Sequence, residues 1–498
     1  MGSNNSLTES DDDILNSNDG ENSIIIIGVC DSWSKARLTE CIKRMGFKFL
    51  GIEKKCGQAQ AIIRFESLED KKNGFRCLRG CTVSGNRWIL KNFEIETLTT
   101  PYASQTEINN CSKLITQEAL DRVFPFRDKD SGSRIACKLS DAKSFLKDIL
   151  DKNNEIKMYP SSNVDNYCVE LLVGYDKDGK IGVGYNSGSR VNAFIHTIDE
   201  KFPYPSSILE IARHFEKFVE SSVFPPYDPN SDTGKWRTIV IRMTSLQEIM
   251  LIVATFGGLP LNEINRLVND FKDITKSLYW VKADRDYYDS QSPNRVIYGT
   301  PYLTDKINGM EFSITPFSQF PHNFGTFSSI IQTIVDKAQI DQNTVLVDLC
   351  CGSGVLSISL ASFVKRIVGY DISEHRINNS NKNSELNKIK NAYFVHGTSS
   401  TFLFDVANNL TQSERLVCIL NTSVNGQHVE LLKSIRLCPK VSCFIYLSDC
   451  PYSFAYDVQR IISNPDFTNQ SEPMKLSDLE LFESEPNTHS IKVLGFFN

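Results

Sequence analysis

Residues 344–363 constrain the fold more than any other stretch of the chain. Thr344-Val345-Leu346-Val347 is a short apolar run rich in β-branched residues. It ends in Asp348-Leu349-Cys350-Cys351-Gly352-Ser353-Gly354, and Val355 to Phe363 has helical character. This order predicts strand, glycine turn and helix in immediate succession. Glycine is needed where backbone takes a positive φ or approaches a ligand closely, and a helix starting straight after the turn offers unpaired N–H groups. Such a turn suits a nucleotide-like cofactor, although helix-on-strand packing alone also calls for small residues there. A second strand, Arg366 to Tyr370, ends in Asp371, where a carboxylate can accept both hydroxyls of a ribose. The alternation continues with strands at 392–396, 417–420 and 441–447 and helices at 374–386, 427–435 and 455–462. The fold class expected is α/β, with a doubly wound, Rossmann-like C-terminal domain.

A dinucleotide site of the NAD type would want glycine where Ser357 stands, and the loop here opens with a carboxylate. S-adenosyl-L-methionine fits better. Four segments occur in order: 314–323 (Ile-Thr-Pro-Phe-Ser-Gln-Phe-Pro-His-Asn), Asp348 to Gly354, Asn421-Thr422-Ser423-Val424, and Ser448-Asp449-Cys450-Pro451. Together they resemble the tRNA uracil-C5 methyltransferase family, a group of class I methyltransferases, from mid-chain to the C-terminus. The resemblance implies methyl transfer from S-adenosyl-L-methionine to C5 of a uridine in tRNA. In that family a cysteine thiolate adds to C6, C5 then takes the methyl group, and a general base removes the C5 proton.

The same resemblance locates where this chain departs from the pattern. Asp449 occupies the nucleophile position, with Cys450 one residue further along, where an extended backbone turns a side chain to the opposite side. Asn421 stands for the strand-end aspartate, and Thr422, Ser423 and Val424 for the two prolines and arginine after it. Lys492 takes the place of the glutamate base, and a lysine is protonated near pH 7 unless desolvated. Pro321 sits where a cofactor-binding glutamine is expected, with Gln319 two residues away as a substitute. The expected cofactor set is therefore Gln319, Asp348, Cys350, Gly352, Gly354, Asp371 and Asn421, the expected catalytic positions are Asp449, Cys450 and Lys492, and no metal is expected.

The 498 residues are too many for one core. Residues 1–22, rich in Ser, Asn and acidic side chains, are expected to be a disordered tail. Residues 23–97 show a β-α-β-β-α-β order, predicting a ferredoxin-like domain that resembles an RNA-recognition motif. Matching Phe65 to that motif's last aromatic puts Gln60 and Ile62 at the base-stacking positions, so the platform is missing and Phe65 is expected in the core. Residues 98–154 read as a polar linker with helical pieces. Residues 155–312 read as an α+β central domain, with a hairpin around 176–180 and a helix over 261–278, of the kind that grips RNA in the family. Arg237 and Arg242 are candidate phosphate contacts there, with ordinary salt bridges equally expected, and His322 is a candidate for a flipped base or a structural role. Residues 313–498 form the methyltransferase-like domain.

The net charge of −6 offers no overall attraction for a polyanion. The 14 cysteines show no Cys-x-x-Cys pair, and no apolar run is long enough to span a bilayer. An intracellular protein, in cytoplasm or nucleus, is expected. Three functions fit these residues. One is an RNA-binding pseudoenzyme, acting on RNA or beside an active paralogue. The second is an active methyltransferase using Cys450, and the third is a protein-interaction scaffold without RNA or cofactor.

Overall fold

Burial with period two defines the first strands, in which Ile24, Ile26, Ala61 and Ile63 are buried and Ile62 and Arg64 lie on the other face. The structure, a computed structural model, describes residues 23–27, 35, 38–39, 42, 48–54, 60–67, 70–71, 78, 82–83, 86–87, 89–92, 120–121, 123–150, 156–161, 164–187, 194–228, 231–283, 292–397, 399–422, 429–462 and 473–498. The chain divides into two units, residues 1–104 and 105–498. The first contains β1 (Ser23–Ile27), β2 (Gly51–Glu53), β3 (Gln60–Arg64), the two-residue pair β4 (Thr82–Val83) and β5 (Asn86–Arg87), and β6 (Ile89–Asn92). Its main sheet runs β2-β3-β1-β6 with every pairing antiparallel, and residues 35, 38–39, 42, 70–71 and 78 are helical. That is the strand order of a ferredoxin-like fold. Phe65 is 2% exposed and belongs to the core, as expected. On the outer face Arg64 pairs with Glu53 at 2.7 Å. The expected tail, residues 1–22, lies outside the described residues.

The second unit begins with helix α1 (Ser131–Leu146) and strand β7 (Lys157–Tyr159). A seven-stranded sheet follows, built from β8 (Tyr167–Tyr175), β9 (Ile181–Ser187), β10 (Phe194–Thr197), β11 (Trp236–Met243), β12 (Ile249–Phe256), β13 (Ser277–Ala283) and β14 (Asn294–Gly299), with helices α2 (Ser206–Glu220) and α3 (Leu261–Phe271). The spatial order is β10-β9-β8-β11-β12-β13-β14. Only β12 and β13 run parallel, joined across α3. Here the expected helix over 261–278 needs correction. It stops at Phe271, the Thr275 hydroxyl bonds back to the Phe271 carbonyl at 2.8 Å, and Ser277 begins a strand. The aromatic and β-branched run Leu278-Tyr279-Trp280-Val281 suits a pleated, buried position better than a helix.

After the hairpin β15 (Leu303–Ile307) and β16 (Met310–Ile314) comes the C-terminal domain. It contains α4 (Phe324–Lys337), β17 (Thr344–Asp348), α5 (Val355–Leu360), β18 (Arg366–Asp371), α6 (Glu374–Leu386), β19 (Ala392–His396), α7 (Ser399–Asn408), β20 (Arg415–Thr422), α8 (Val429–Leu437), β21 (Val441–Ser448), α9 (Pro451–Asp457), β22 (Leu476–Glu483) and β23 (Ile491–Phe497). The sheet order is β19-β18-β17-β20-β21-β23-β22-β7. Strands β17 to β21 are parallel, and β23 runs antiparallel to both neighbours. All five residues of β17 are buried, because apolar layers cover both faces of the sheet. Among the described residues no helix is long and apolar enough to cross a membrane, and no three His, Cys, Asp or Glu side chains are grouped to hold a metal.

Helix α1 lies in the stretch read as a linker. Asp130 caps it by accepting from the Ser133 backbone N–H at 3.0 Å. Its Arg134 and Lys138 reach the fully buried Glu483 at the end of β22, each at 2.7 Å. The Ser161 backbone N–H donates to the same carboxylate at 3.0 Å, its hydroxyl lies 3.1 Å away, and the Thr326 hydroxyl donates to the Glu483 carbonyl at 3.0 Å. Burial would raise the Glu483 carboxyl, but the bonds from Arg134, Lys138 and Ser161 hold it below its ordinary value. Removing one member of a buried ion cluster leaves uncompensated charge. Glu483→Gln is accordingly expected to lower the unfolding free energy by about 3–5 kcal/mol in a urea titration, whereas a loss under about 1 kcal/mol would mark the cluster as energetically idle.

Candidate active site

The carboxyl ends of β17, β18, β20 and β21 all open at one edge of the C-terminal sheet, which places the sequence-predicted side chains together. Asp348 closes β17 and is buried. Its Oδ2 accepts from the Ser357 hydroxyl at 2.6 Å, while Oδ1 has no partner among the described residues. Burial pushes its carboxyl up to about 6, opposed by that hydroxyl bond.

The two glycines of the turn do different work. Gly352 has φ +57, and a Cβ there would meet nothing within 4 Å. Gly354, with φ +78, starts α5, and its Cβ would come within 2.9 Å of Ser380 and 3.0 Å of the Phe394 ring. Gly354 is thus demanded by packing, whereas Gly352 borders open space. Between them and Asp348, Cys350 is half-buried, and burial pushes its thiol up to about 12. It therefore stays protonated at neutral pH. Asp371, at the end of β18, accepts from the backbone N–H of Gly352 at 3.0 Å and of Ser373 at 2.9 Å, so the ribose-type carboxylate also orients the glycine turn. Beside it, Ile372 is 76% exposed.

The 315–323 segment lies against this turn. Ser353 Oγ donates to the Gln319 carbonyl at 3.4 Å, and the Gln319 side chain is exposed. Arg242, a candidate phosphate contact from sequence, is instead 3% exposed and donates to the carbonyls of Thr315, Pro316 and Ser318 at 2.7–3.1 Å. A guanidinium surrounded by loop carbonyls serves the backbone, not a phosphate. Arg237 lies over the Tyr227 ring at 6.0 Å. His322 sits 2.9 Å from the Asn166 carbonyl through Nδ1 and has a structural role. Asn323 caps α4 by accepting from the Thr326 N–H at 2.6 Å.

Sequence reasoning missed two asparagines on α6. Asn383 accepts from the Ser313 N–H at 2.8 Å and donates to the Ser353 carbonyl at 2.9 Å, and Asn379 donates to the Ser313 carbonyl and to Ser318 Oγ. They tie the glycine turn to the 313–318 segment. The signal was the unusual polarity of α6, EHRINNSNKNSEL, in a helix that nevertheless buries Asn379 and Asn383.

On the other half of the edge, Ser448 pairs with Val493, so Asp449 and Lys492 leave adjacent strands side by side. Their side chains form an ion pair, Lys492 27% and Asp449 38% exposed. Cys450 is half-buried, its backbone N–H donates to Ser448 Oγ at 3.2 Å, and it precedes Pro451, the first residue of α9. Asn421, half-buried, lies opposite Leu447 on β20. Ser423 and Val424 lie outside the described residues.

The Asp348 carboxyl binds its proton more tightly folded than unfolded. Its ionisation therefore costs stability as pH rises from about 4 to about 6, and that cost is absent below pH 4. The unfolding free energy of the wild type relative to Asp348→Asn is expected to fall by about 3 kcal/mol over that window. A pH-independent difference would contradict a buried, proton-holding Asp348.

The protein family described as ribosomal protein L11 methyltransferase (PrmA) matches residues 325–420. The chain is 25% identical over 343 residues to tRNA (uracil-5-)-methyltransferase homolog A of Mus musculus, covering 65% of this chain and 55% of that protein. It is 26% identical over 298 residues to tRNA (uracil-5-)-methyltransferase homolog B of Danio rerio, covering 56% and 61%. The chain thus spans little more than half the length of these relatives. Among solved structures, it is similar to the Pyrococcus abyssi tRNA (uracil-54, C5)-methyltransferase in complex with S-adenosyl-L-homocysteine. The TM-score is 0.55 at 18% identity, over 84% of this chain and 91% of that one, a likeness of fold. The chain has a Rossmann-like methyltransferase fold and, over more than half of its residues, is similar in sequence to proteins named tRNA (uracil-5-)-methyltransferase.

Proposed function

We propose that this chain binds RNA, tRNA by analogy with its relatives, and S-adenosyl-L-methionine, and that it does not transfer the methyl group to uridine. The observation that carries this reading is the ion pair of Asp449 and Lys492. Uracil C5 becomes nucleophilic only after a soft nucleophile adds to C6, and the C5 proton must then go to a base. A carboxylate held by an ammonium is a poor soft nucleophile, and an ammonium held by a carboxylate is not a base. Cys450 caps a helix one residue away, with its backbone committed to Ser448.

The cofactor site is a separate matter, and its residues fit. Asp371 retains acceptor capacity on both oxygens beyond its two backbone bonds, Gly352 leaves space where a side chain would intrude, and Ile372 exposes an apolar face beside them. When bound, S-adenosyl-L-methionine supplies an electrophilic methyl group. Asp371 and the 352–354 backbone would hold it, with Gln319, Asp348, Cys350 and Asn421 bordering the same edge. The eight described cysteines are all free thiols, which supports an intracellular setting. An active paralogue as partner fits the same reading.

Purified protein is incubated with unmodified tRNA and isotopically labelled S-adenosyl-L-methionine. The expected result is no label in 5-methyluridine, together with a thermal shift on adding S-adenosyl-L-homocysteine and a salt-dependent tRNA affinity. Label made by wild type and lost in Cys450→Ala would overturn the reading in favour of an enzyme with a displaced nucleophile. Absence of both thermal shift and RNA affinity would leave a protein-interaction scaffold. The double variant Asp449→Cys/Lys492→Glu is expected to gain label over wild type, because it restores thiol and base together.

A further inference from the structure

Away from the sheet edge, a cavity of about 80 Å³ is lined by Phe124, Tyr167, Tyr204, His322, Glu485 and Asn487 among others, and by no lysine or arginine. Its aromatic wall is fixed. Phe124 meets Tyr204 edge-on at 5.4 Å, Phe202 lies parallel to Tyr204 at 6.4 Å behind it, and the Tyr204 hydroxyl bonds that of Tyr185. The single acid is Glu485. Its backbone carbonyl accepts from Lys138 at 2.7 Å, while its carboxylate has no hydrogen bond or ion pair among the described residues. The Lys138 ammonium is ion-paired with Glu483 and reaches the Glu485 carboxylate only as a longer-range charge. Burial raises the hydroxyls of Tyr167, Tyr185 and Tyr204, and the Glu485 charge raises each further.

From the three aromatic rings and one carboxylate without a hydrogen-bond or ion-pair partner among the described residues, we infer a binding site for a compact alkylammonium cation in this cavity. Ring faces attract a cation through their quadrupole, and a desolvated quaternary ammonium is the ligand such walls hold best. The cavity is small, which suits a compact cationic head at its mouth rather than a larger ligand. A nucleotide fits poorly, because its phosphate would face Glu485 with no lining cation to receive it. The head group has two sources, a free quaternary ammonium such as choline or a methylated lysine presented by a partner protein. The site does not depend on the sheet edge or on methyl transfer.

The test is calorimetric titration of the full chain with choline and with its neutral isostere 3,3-dimethylbutan-1-ol. Choline is expected to bind at least about tenfold more tightly, and Glu485→Gln to remove most of that preference. Tyr167→Leu, which removes an aromatic wall, is expected to weaken choline about tenfold while far-UV circular dichroism stays unchanged. Equal binding of the two isosteres, no binding of either, choline affinity unchanged in both variants, or uridine binding in place of choline would each overturn the assignment. A short peptide carrying trimethyllysine distinguishes the sources. Binding tighter than choline, and lost with unmodified lysine, assigns the site to a protein partner, and binding no tighter assigns it to the small cation.

Discussion

One buried carboxylate organises the second unit. Glu483 has no exposed side-chain surface, and a charge in that position survives only if every lone pair finds a donor. The donors come from two places distant from it in sequence, Arg134 and Lys138 on α1 and Ser161 after β7, while Thr326 at the start of α4 donates separately to the Glu483 backbone carbonyl. Satisfying one acid therefore fastens α1 to the sheet and holds the chain after β7, the eighth strand, beside the end of β22. The chain that leaves Glu483 then turns through 484–490 and returns as β23 with Lys492. Both the cavity rim at Glu485 and Asn487 and the ion pair at the sheet edge are anchored within nine residues of that acid.

At the edge, Asp449 and Lys492 satisfy each other's charge. A carboxylate at 449 facing a glutamate at 492 would set two negative charges together, and a lysine at 492 facing a thiol would leave a cation unpaired beside the strand ends. Aspartate with lysine resolves both at once. Being about a third exposed, the pair is worth at most about 1 kcal/mol, so it is not a device for stability. Its weight in the proposed reading is chemical, since a paired carboxylate and ammonium stand at the positions where that reading expects a soft nucleophile and a base.

How much of this could be read from the chain depended on the range of the interaction. The strand, glycine turn and helix at 344–360 were legible because strand period, glycine φ and helix start lie within twenty residues, and the structure places each there. The same locality made the hairpin at 167–187 and the core placement of Phe65 readable. The helix expected to run to 278 failed because its apolar pattern continues into β13, and only the pairing of Met250–Phe256 with Ser277–Ala283 decides the state. Arg242 failed for a different reason. Nothing local separates an arginine for phosphate from one for carbonyls 73 to 76 residues away. The Glu483 cluster, at a separation of 349 residues, was out of reach altogether.

Charge limits what the RNA reading can mean. The net charge is −6, and several cations that sequence would offer to a phosphate backbone are already spent. Arg134, Lys138 and Arg242 are buried and bonded internally, while Lys276, Lys337 and Arg213 pair with Glu248, Asp478 and Glu200. Each phosphate neutralised adds close to one unit to the salt dependence of binding. These six are a minority of the 54 lysines and arginines, so the slope depends on how many of the others face the RNA, while selectivity comes from shape and base contacts. On the proposed reading, a cofactor pocket beside an edge that carries an ion pair at the expected nucleophile and base positions would let the protein recognise RNA and leave it unchanged.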